Sequence, residues 1–199
     1  SPNLHNYWIR KNNIEANYEK KLIVENDLKK IISEVREDKI NGLNVTVPFK
    51  KSIIPLMDQL TPKAILTKSV NVVFKKGDEI IGDNTDIAGF ELSLKNINYD
   101  IKDKKILVLG AGGVTSSIII SLFGSEKIFL TNRTKEKADN LSKMNLHKNI
   151  EVIDWELKNR NISKLDMIIN TTSLGLSNND FIDLEYEKIG TNKLFYDVI

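Results

Sequence analysis

The sequence contains no cysteine and only two histidines, His5 and His147, among its 199 residues. The first absence excludes disulfides and thiolate metal sites, and no metal is expected. The two histidines stand far apart and read as surface or structural groups rather than as catalytic ones. An excess of charge is also missing: 29 Lys and Arg offset 27 Asp and Glu, leaving a net charge of +2. Nothing in that balance points to nucleic acid or a membrane surface as partner. No apolar run approaches the ~18 residues of a spanning helix, and no signal-peptide pattern is present, so a cytoplasmic protein is expected. There is no internal repeat and no low-complexity segment. What remains is a chain long and apolar enough for one large or two small domains.

The chain is organised around residues 105–134. Ile106-Leu107-Val108-Leu109 is a wholly apolar run, as a strand buried on both faces requires. It stops at Gly110-Ala111-Gly112-Gly113, Val114 to Phe123 reads as a helix, and a second apolar run follows at Lys127–Thr131. Strand, glycine turn, helix and strand make one βαβ unit. Gly110 allows the tight turn and Gly112 admits a pyrophosphate onto the N–H groups that open the helix. An ordinary tight βα turn would use the same glycines, and the third glycine of the dinucleotide fingerprint falls at Thr115. The end of the second strand discriminates between cofactors. An NAD site places Asp or Glu there for the ribose hydroxyls; this chain has Asn132-Arg133-Thr134, with Lys135 and Lys137 close behind. A carboxylate repels a 2′-phosphate, whereas a guanidinium and a hydroxyl bind it. The reading favours NADP(H), with a solvated helix start as the alternative use of these cations.

Elsewhere the pattern is α/β. Ser1–Tyr18 reads as polar and irregular, and Leu22-Ile23-Val24 as a strand end. Asn26 and Asp27 are N-caps for a helix to about Glu37, with Leu28, Ile31, Ile32 and Val35 on its buried face. Ile40–Val47 reads as a strand closed by Pro48, followed by a short helix from Phe49 that Pro55 limits. Thr61-Pro62 starts a helix to about Lys68. Val70–Lys75 and Glu79–Asp83 read as a hairpin about Lys76-Gly77-Asp78. Asn84-Thr85-Asp86 opens a helix with Ile87, Phe90, Leu94 and Ile97 on one face, and the polar stretch 98–104 is a junction. Beyond Thr134 a helix over Lys135–Lys143 and strands at Glu151–Trp155, Met167–Ile169 and Leu194–Ile199 are expected. Strands separated by helices argue for an open, parallel, doubly wound sheet with ligands at its carboxyl edge.

A nicotinamide enzyme acting on a carbonyl needs a proton donor beside the hydride acceptor. Lys50 stands out because it follows a strand end and Pro48 rather than lying on an exposed helix face. Asp86 by itself is a helix-start carboxylate. If the two meet, each has a partner, which spacing in sequence does not decide.

Ser1-Pro2-Asn3-Leu4-His5-Asn6, Asn44-Val45-Thr46-Val47-Pro48-Phe49-Lys50, Val70-Asn71, Asn84-Thr85-Asp86, Gly110–Gly113, Asn132-Arg133-Thr134 and Thr172-Ser173-Leu174-Gly175 occur together and in this order. The series closely resembles the shikimate dehydrogenase family, NADPH-dependent reductases of 3-dehydroshikimate. The resemblance covers the whole chain. It implies an N-terminal α/β substrate-binding domain over residues 1–98 and a Rossmann-type doubly wound NADP domain over 99–199, with the active site between them. It further implies that Lys50 is the catalytic acid/base and Asp86 its partner and a substrate ligand. Ser1, Thr46 and Asn71 would bind substrate. Gly110, Ala111, Gly112, Gly113 and Val114 would cradle the pyrophosphate, Asn132, Arg133, Thr134 and Lys137 would surround the 2′-phosphate, and Val198 would offer backbone to the nicotinamide.

Two departures qualify the match. The family begins with a strand and a further Ser before the position of Ser1. It continues past Ile199 through a Tyr, a Gly, a substrate-binding Gln and closing helices. Both ends of the chain therefore read as cut. The expected partner is a small polar metabolite, and the expected state a monomer or homodimer. The competing readings are a quinate/shikimate dehydrogenase using NAD, a non-catalytic shikimate-sensing relative, and a Rossmann reductase of another small polar ketone.

Overall fold

In the computed structural model of the chain, residues 2–177 and 180–198 are described. The first half builds a four-stranded sheet from β1 (Gly42–Asn44), β2 (Gln59–Leu60), β3 (Val72–Lys76) and β4 (Glu79–Asp83), in the order β1-β3-β4-β2. β1 and β4 both run antiparallel to β3, and the register pairs Asn44 with Val72 and Val72 with Asp83. The carboxyl ends of β1 and β4 therefore lie beside the amino end of β3. That single edge gathers the segments that follow Asn44, precede Val72 and follow Asp83.

The helices of this half are α1 (Pro2–Lys11), α2 (Leu28–Arg36) and α3 (Pro62–Thr67). On α2 the i, i+3, i+4, i+7 stripe of Leu28, Ile31, Ile32 and Val35 is buried against Val73 and Ile80 of the sheet. Burial of each such side chain contributes ~1.5–3 kcal/mol. α3 starts as the sequence expects. Thr61 Oγ1 accepts from Ala64 N–H at 3.3 Å, Pro62 occupies the first turn, and the helix ends at Lys68 in the left-handed region.

α4 (Asp86–Asn96) leads from the first sheet to the second, because Phe90 and Leu94 pack with the second sheet's core. That sheet is wholly parallel, in the order β7 (Ile150–Val152), β6 (Lys127–Thr131), β5 (Lys105–Leu109), β8 (Met167–Asn170), β9 (Leu194–Asp197). Its two faces are both dry. Ile106, Val108, Ile128, Leu130, Met167 and Ile169 face α4, α5 (Thr115–Ser121) and α6 (Lys135–Ser142), while Leu107, Leu109 and Ile168 face Ile162, Leu165 and Leu184. β5 and β8 are therefore apolar throughout residues 106–109 and 167–169, as a parallel sheet covered on both sides demands. The edge strands β7 and β9 leave Glu151, Phe195 and Asp197 exposed. No helix among the described residues is long and apolar enough to cross a membrane.

Several local expectations are corrected. Residues 2–11 form α1 rather than an irregular stretch. No residue of α1 is buried: its apolar Leu4, Tyr7 and Trp8, at i, i+3 and i+4, are each about half exposed. The segment is instead held by Asn6, which exchanges two hydrogen bonds with the backbone of Tyr18, and by His5 stacked on the Tyr18 ring. Leu22-Ile23-Val24 is not a strand, and the strand expected over 40–47 is confined to Gly42–Asn44. The helix expected from Phe49 is a series of turns ending in a 3-10 turn at Ile54–Leu56, with Pro55 inside it. β2 went unseen because two residues carry no periodicity. Ile97 is 55% exposed and lies past the end of α4. Trp155 starts a 3-10 turn rather than ending β7. The second face between β7 and β9 is covered by 3-10 turns where helices were expected. The proposed Ser1 ligand and the end of the last strand at Ile199 lie outside the described residues.

Candidate active site

The edge of the first sheet brings Lys50, Asn71 and Asp86 together. Val45 N–H donates to Asn71 O at 2.8 Å and Asn71 N–H to Asp83 O at 2.9 Å, extending the sheet past its strand ends. The turn after Val45 carries a cis Val47-Pro48 bond, and Phe49 N–H closes it on Thr46 O at 2.9 Å. Lys50 follows, its carbonyl accepting from Val70 N–H at 2.8 Å. Its Nζ reaches Asp86 Oδ2 at 2.8 Å, and the two side chains are only 12% and 18% exposed. The meeting left open by sequence spacing takes place.

Asp86 is held on its other side as well. Asn71 Nδ2 donates to Asp86 Oδ1 at 2.8 Å and to Thr85 Oγ1 at 3.1 Å, while Asn71 Oδ1 accepts from Thr85 N–H at 2.9 Å. Asn84, fully buried, accepts from Asp86 N–H at 3.1 Å through its Oδ1. Sequence reading took Asn84 only as part of a helix start. The signal that could have identified it is an Asn two residues before the Asp it caps, an Asx turn. Thr46 lies in the same turn system as Lys50, exposed and with no side-chain hydrogen bond among the described residues.

The second edge is the carboxyl edge of the parallel sheet. Leu109 pairs with Thr131 and with Asn170, and Asn170 with Asp197, so the residues that follow these strands lie side by side. Gly110 has φ +111°, and a Cβ there would come within 2.5 Å of Thr171 Oγ1. Only glycine makes this turn. Thr115 occupies the third glycine position with a function of its own: its buried Oγ1 accepts from Gly112 N–H at 3.0 Å and bonds Thr171 Oγ1 at 2.8 Å. The N–H groups of Gly110, Ala111 and Gly112 are thus taken, by Thr131 O, Asn132 Oδ1 and Thr115 Oγ1. Those of Gly113 and Val114 have no acceptor among the described residues. The helix opening offers two donors, not the whole run.

Around β6, Asn132 ties the glycine turn to the next loop through Ala111 N–H at 3.2 Å and Thr134 O at 2.9 Å. Arg133, Thr134 and Lys137 are exposed, and among the described residues neither cation has an ion-pair partner. Lys135 differs: the Asp154 carboxylate, bonded to it at 2.7 Å, raises its ammonium above the ordinary lysine range. Val198 N–H is spent on Asn170 O at 3.2 Å, leaving its carbonyl without a partner among the described residues. Two unpaired cations, two unpaired amides and no carboxylate at Asn132 fit a phosphorylated dinucleotide. No group of three or more His, Cys, Asp or Glu that could hold a metal ion occurs among the described residues.

The two edges face each other across a narrow gap. A Cβ on Gly113 would lie 3.6 Å from Lys50 Cβ and Cδ, and Ser69 Oγ donates to Gly113 O at 3.0 Å. An ammonium paired with a carboxylate thus stands against a glycine turn, an arrangement able to exchange a proton beside a bound dinucleotide.

Comparison with known proteins points to one family. The family model for the shikimate dehydrogenase substrate binding domain matches residues 1–73, and that for shikimate/quinate 5-dehydrogenase matches residues 91–184. A shikimate dehydrogenase (NADP(+)) of Pelagibacter ubique is 51% identical over 201 residues, spanning 100% of this chain and 74% of its own. The crystal structure of shikimate dehydrogenase from Aquifex aeolicus superposes with a TM-score of 0.89 at 38% identity, covering 100% of this chain and 73% of that one. That of the Thermus thermophilus enzyme, in complex with NADP(H) and shikimate, has a TM-score of 0.84 at 25% identity, covering 98% and 72%.

Proposed function

Because the chain belongs to the NADP-dependent shikimate dehydrogenase family, we propose that Lys50 is the acid/base of its reaction and Asp86 the partner that orients it. The activity is that of an oxidoreductase of the shikimate pathway, interconverting 3-dehydroshikimate and shikimate with NADP(H). The observation that carries the residue roles is the 2.8 Å Lys50–Asp86 pair lodged against Gly113.

NADP⁺, when bound, would supply the hydride acceptor for the hydroxyl-bearing carbon. The proton leaves the same hydroxyl, and the group to receive it is Lys50 Nζ in its neutral form. In the reducing direction the ammonium of Lys50 returns that proton to the forming alkoxide. Asp86 stabilises the charged lysine, fixes its direction and binds a substrate hydroxyl. Asn71 holds the second carboxylate oxygen, and a substrate hydroxyl beside it completes the contact. Thr46 and Ser1 serve as further substrate ligands.

On the cofactor side, Gly113 and Val114 N–H groups receive the pyrophosphate, with Gly110, Ala111 and Gly112 shaping the turn. Asn132, Arg133, Thr134 and Lys137 surround the 2′-phosphate, and the Val198 carbonyl meets the nicotinamide amide. We divide the chain accordingly into residues 1–98 for substrate and 99–199 for cofactor, with α4 packing across the junction. A monomer or a homodimer suffices, since every group named lies in one chain, and a cytoplasmic site of action goes with the family assignment. The test is steady-state turnover with shikimate and with quinate, each with NADP⁺ and NAD⁺. The expected result is preference for shikimate with NADP⁺; turnover restricted to NAD⁺ refutes the 2′-phosphate assignment.

A further inference from the structure

The two halves of the chain meet along four buried serines. Ser69 Oγ donates to Gly113 O at 3.0 Å, Ser116 Oγ to Thr67 O at 2.9 Å, and Ser117 Oγ to Asn84 Oδ1 at 3.2 Å. Ser121 Oγ shares its bond between Ile87 O at 3.4 Å and Ser117 O, one turn back on its own helix, at 2.9 Å. All four are at most 7% exposed. A buried hydroxyl is costly unless it is bonded, and hydrogen bonds are directional. Where an apolar interface tolerates sliding, this one selects a single registration of the two halves.

Ser69 is distinguished by what surrounds it. Its carbonyl accepts from Asn84 Nδ2 at 3.0 Å, and Asn84 Oδ1 in turn holds Asp86 N–H. Its neighbour Val70 holds the carbonyl of Lys50. Ser69 is therefore one step from both members of the Lys50–Asp86 pair, while its hydroxyl grips the carbonyl of the glycine against which the Lys50 stem lies.

We propose that Ser69 is a positioning residue for the dehydrogenase reaction, registering the glycine turn against Lys50 and Asp86 through the Gly113 carbonyl. The inference rests on the reading of Gly113 and Val114 as the pyrophosphate cradle and of Lys50 as the acid/base. Hydride and proton leave the same carbinol group of the substrate, so cofactor and amine must hold fixed positions relative to one another. A cofactor that orders the glycine turn also orders the Lys50 segment, and by reciprocity shikimate then tightens the cofactor.

The experiment measures NADP⁺ affinity by titration calorimetry with and without saturating shikimate, together with steady-state kinetics. In the wild type, shikimate is expected to tighten NADP⁺ at least about five-fold. Ser69→Ala should bring that factor below about two. It should also lower kcat roughly ten- to a hundred-fold while leaving the shikimate KM nearly unchanged. Ser121→Ala removes a hydroxyl from the same seam that touches neither Gly113 nor the segment holding Lys50, and should keep both coupling and kcat. The proposal is overturned if Ser69→Ala retains coupling and kcat, if Ser121→Ala loses them equally, or if the wild type binds both ligands without coupling. A wild type that binds neither ligand refutes the functional reading instead.

Discussion

Asn71 Nδ2 donates to Asp86 Oδ1 at 2.8 Å, on the carboxylate oxygen that Lys50 Nζ leaves free. The carboxylate is thus gripped from both sides, and the lysine meets an acceptor whose orientation is already set. The Asn71 carbonyl end is also engaged, capping Thr85 N–H. Asn71 fixes the Lys50–Asp86 pair, whatever contact it makes with substrate.

Asn71→Ala leaves Thr85 N–H and one Asp86 oxygen without their partners. It should cost about 1–3 kcal/mol of folding stability and lower kcat/KM about ten-fold, the loss expected of one fixed hydrogen bond. Denaturant titration and initial-rate kinetics check the two effects separately. A variant with wild-type stability and turnover contradicts this role.

Lys50→Ala should lower kcat by roughly a hundred-fold or more, the scale of general acid–base assistance, with little change in the KM for shikimate. Asp86→Asn should damage both parameters, because it removes a substrate contact along with the lysine's partner. Steady-state kinetics across pH make the distinction. A Lys50→Ala variant with raised KM and normal kcat would show a binding residue.

Arg133→Ala should weaken NADP⁺ while sparing NAD⁺, since its exposed guanidinium, without an ion-pair partner among the described residues, is proposed to bind the 2′-phosphate alone. One charge-assisted contact corresponds to about 1.5–3 kcal/mol, or roughly ten- to a hundred-fold in affinity. Binding titrations with both dinucleotides test it, and equal loss for the two would exclude the assignment.

His147 predicts a pH dependence of stability. Burial pushes its imidazole below the ordinary histidine value, and Nδ1 accepts from Asn149 N–H at 3.1 Å, which requires that nitrogen unprotonated. The unfolded chain, with a pKa of about 6.5, binds the proton first. The stability contributed by neutral His147 is therefore complete above that pH and is lost as pH falls toward the depressed folded value. Asp58 does not obscure this window, because the Ile80 N–H holds its carboxyl below the usual range and it titrates at lower pH. Urea midpoints should fall between pH 7.5 and 5.5 in the wild type, and His147→Gln should flatten that slope. Parallel slopes would mean another group is responsible.

Much of the fold was legible because its causes are local. The apolar run 106–109, the glycine turn, the Thr61-Pro62 cap and the Gly77-Asp78 turn depend on sterics and side-chain period within a few residues, and each lies where the sequence puts it. The failures were elements without a local cause. α1 buries nothing, β2 is two residues long, and the turns after Lys50 and Trp155 take their shape from the sheet they cover.

The sequence by itself determined that the chain is α/β, carries a glycine turn between parallel strands, and follows that unit with cations where an NAD site has an acid. Those properties are written in residue type and spacing. Only the tertiary structure decided that Lys50 and Asp86, 36 residues apart, share a proton-sized gap, that Asn71 and Asn84 hold the carboxylate's segment, and that four serines join the halves. The reason is that a hydrogen bond depends on distance and direction in space. Two sheet edges, each assembled from segments distant in sequence, supply both.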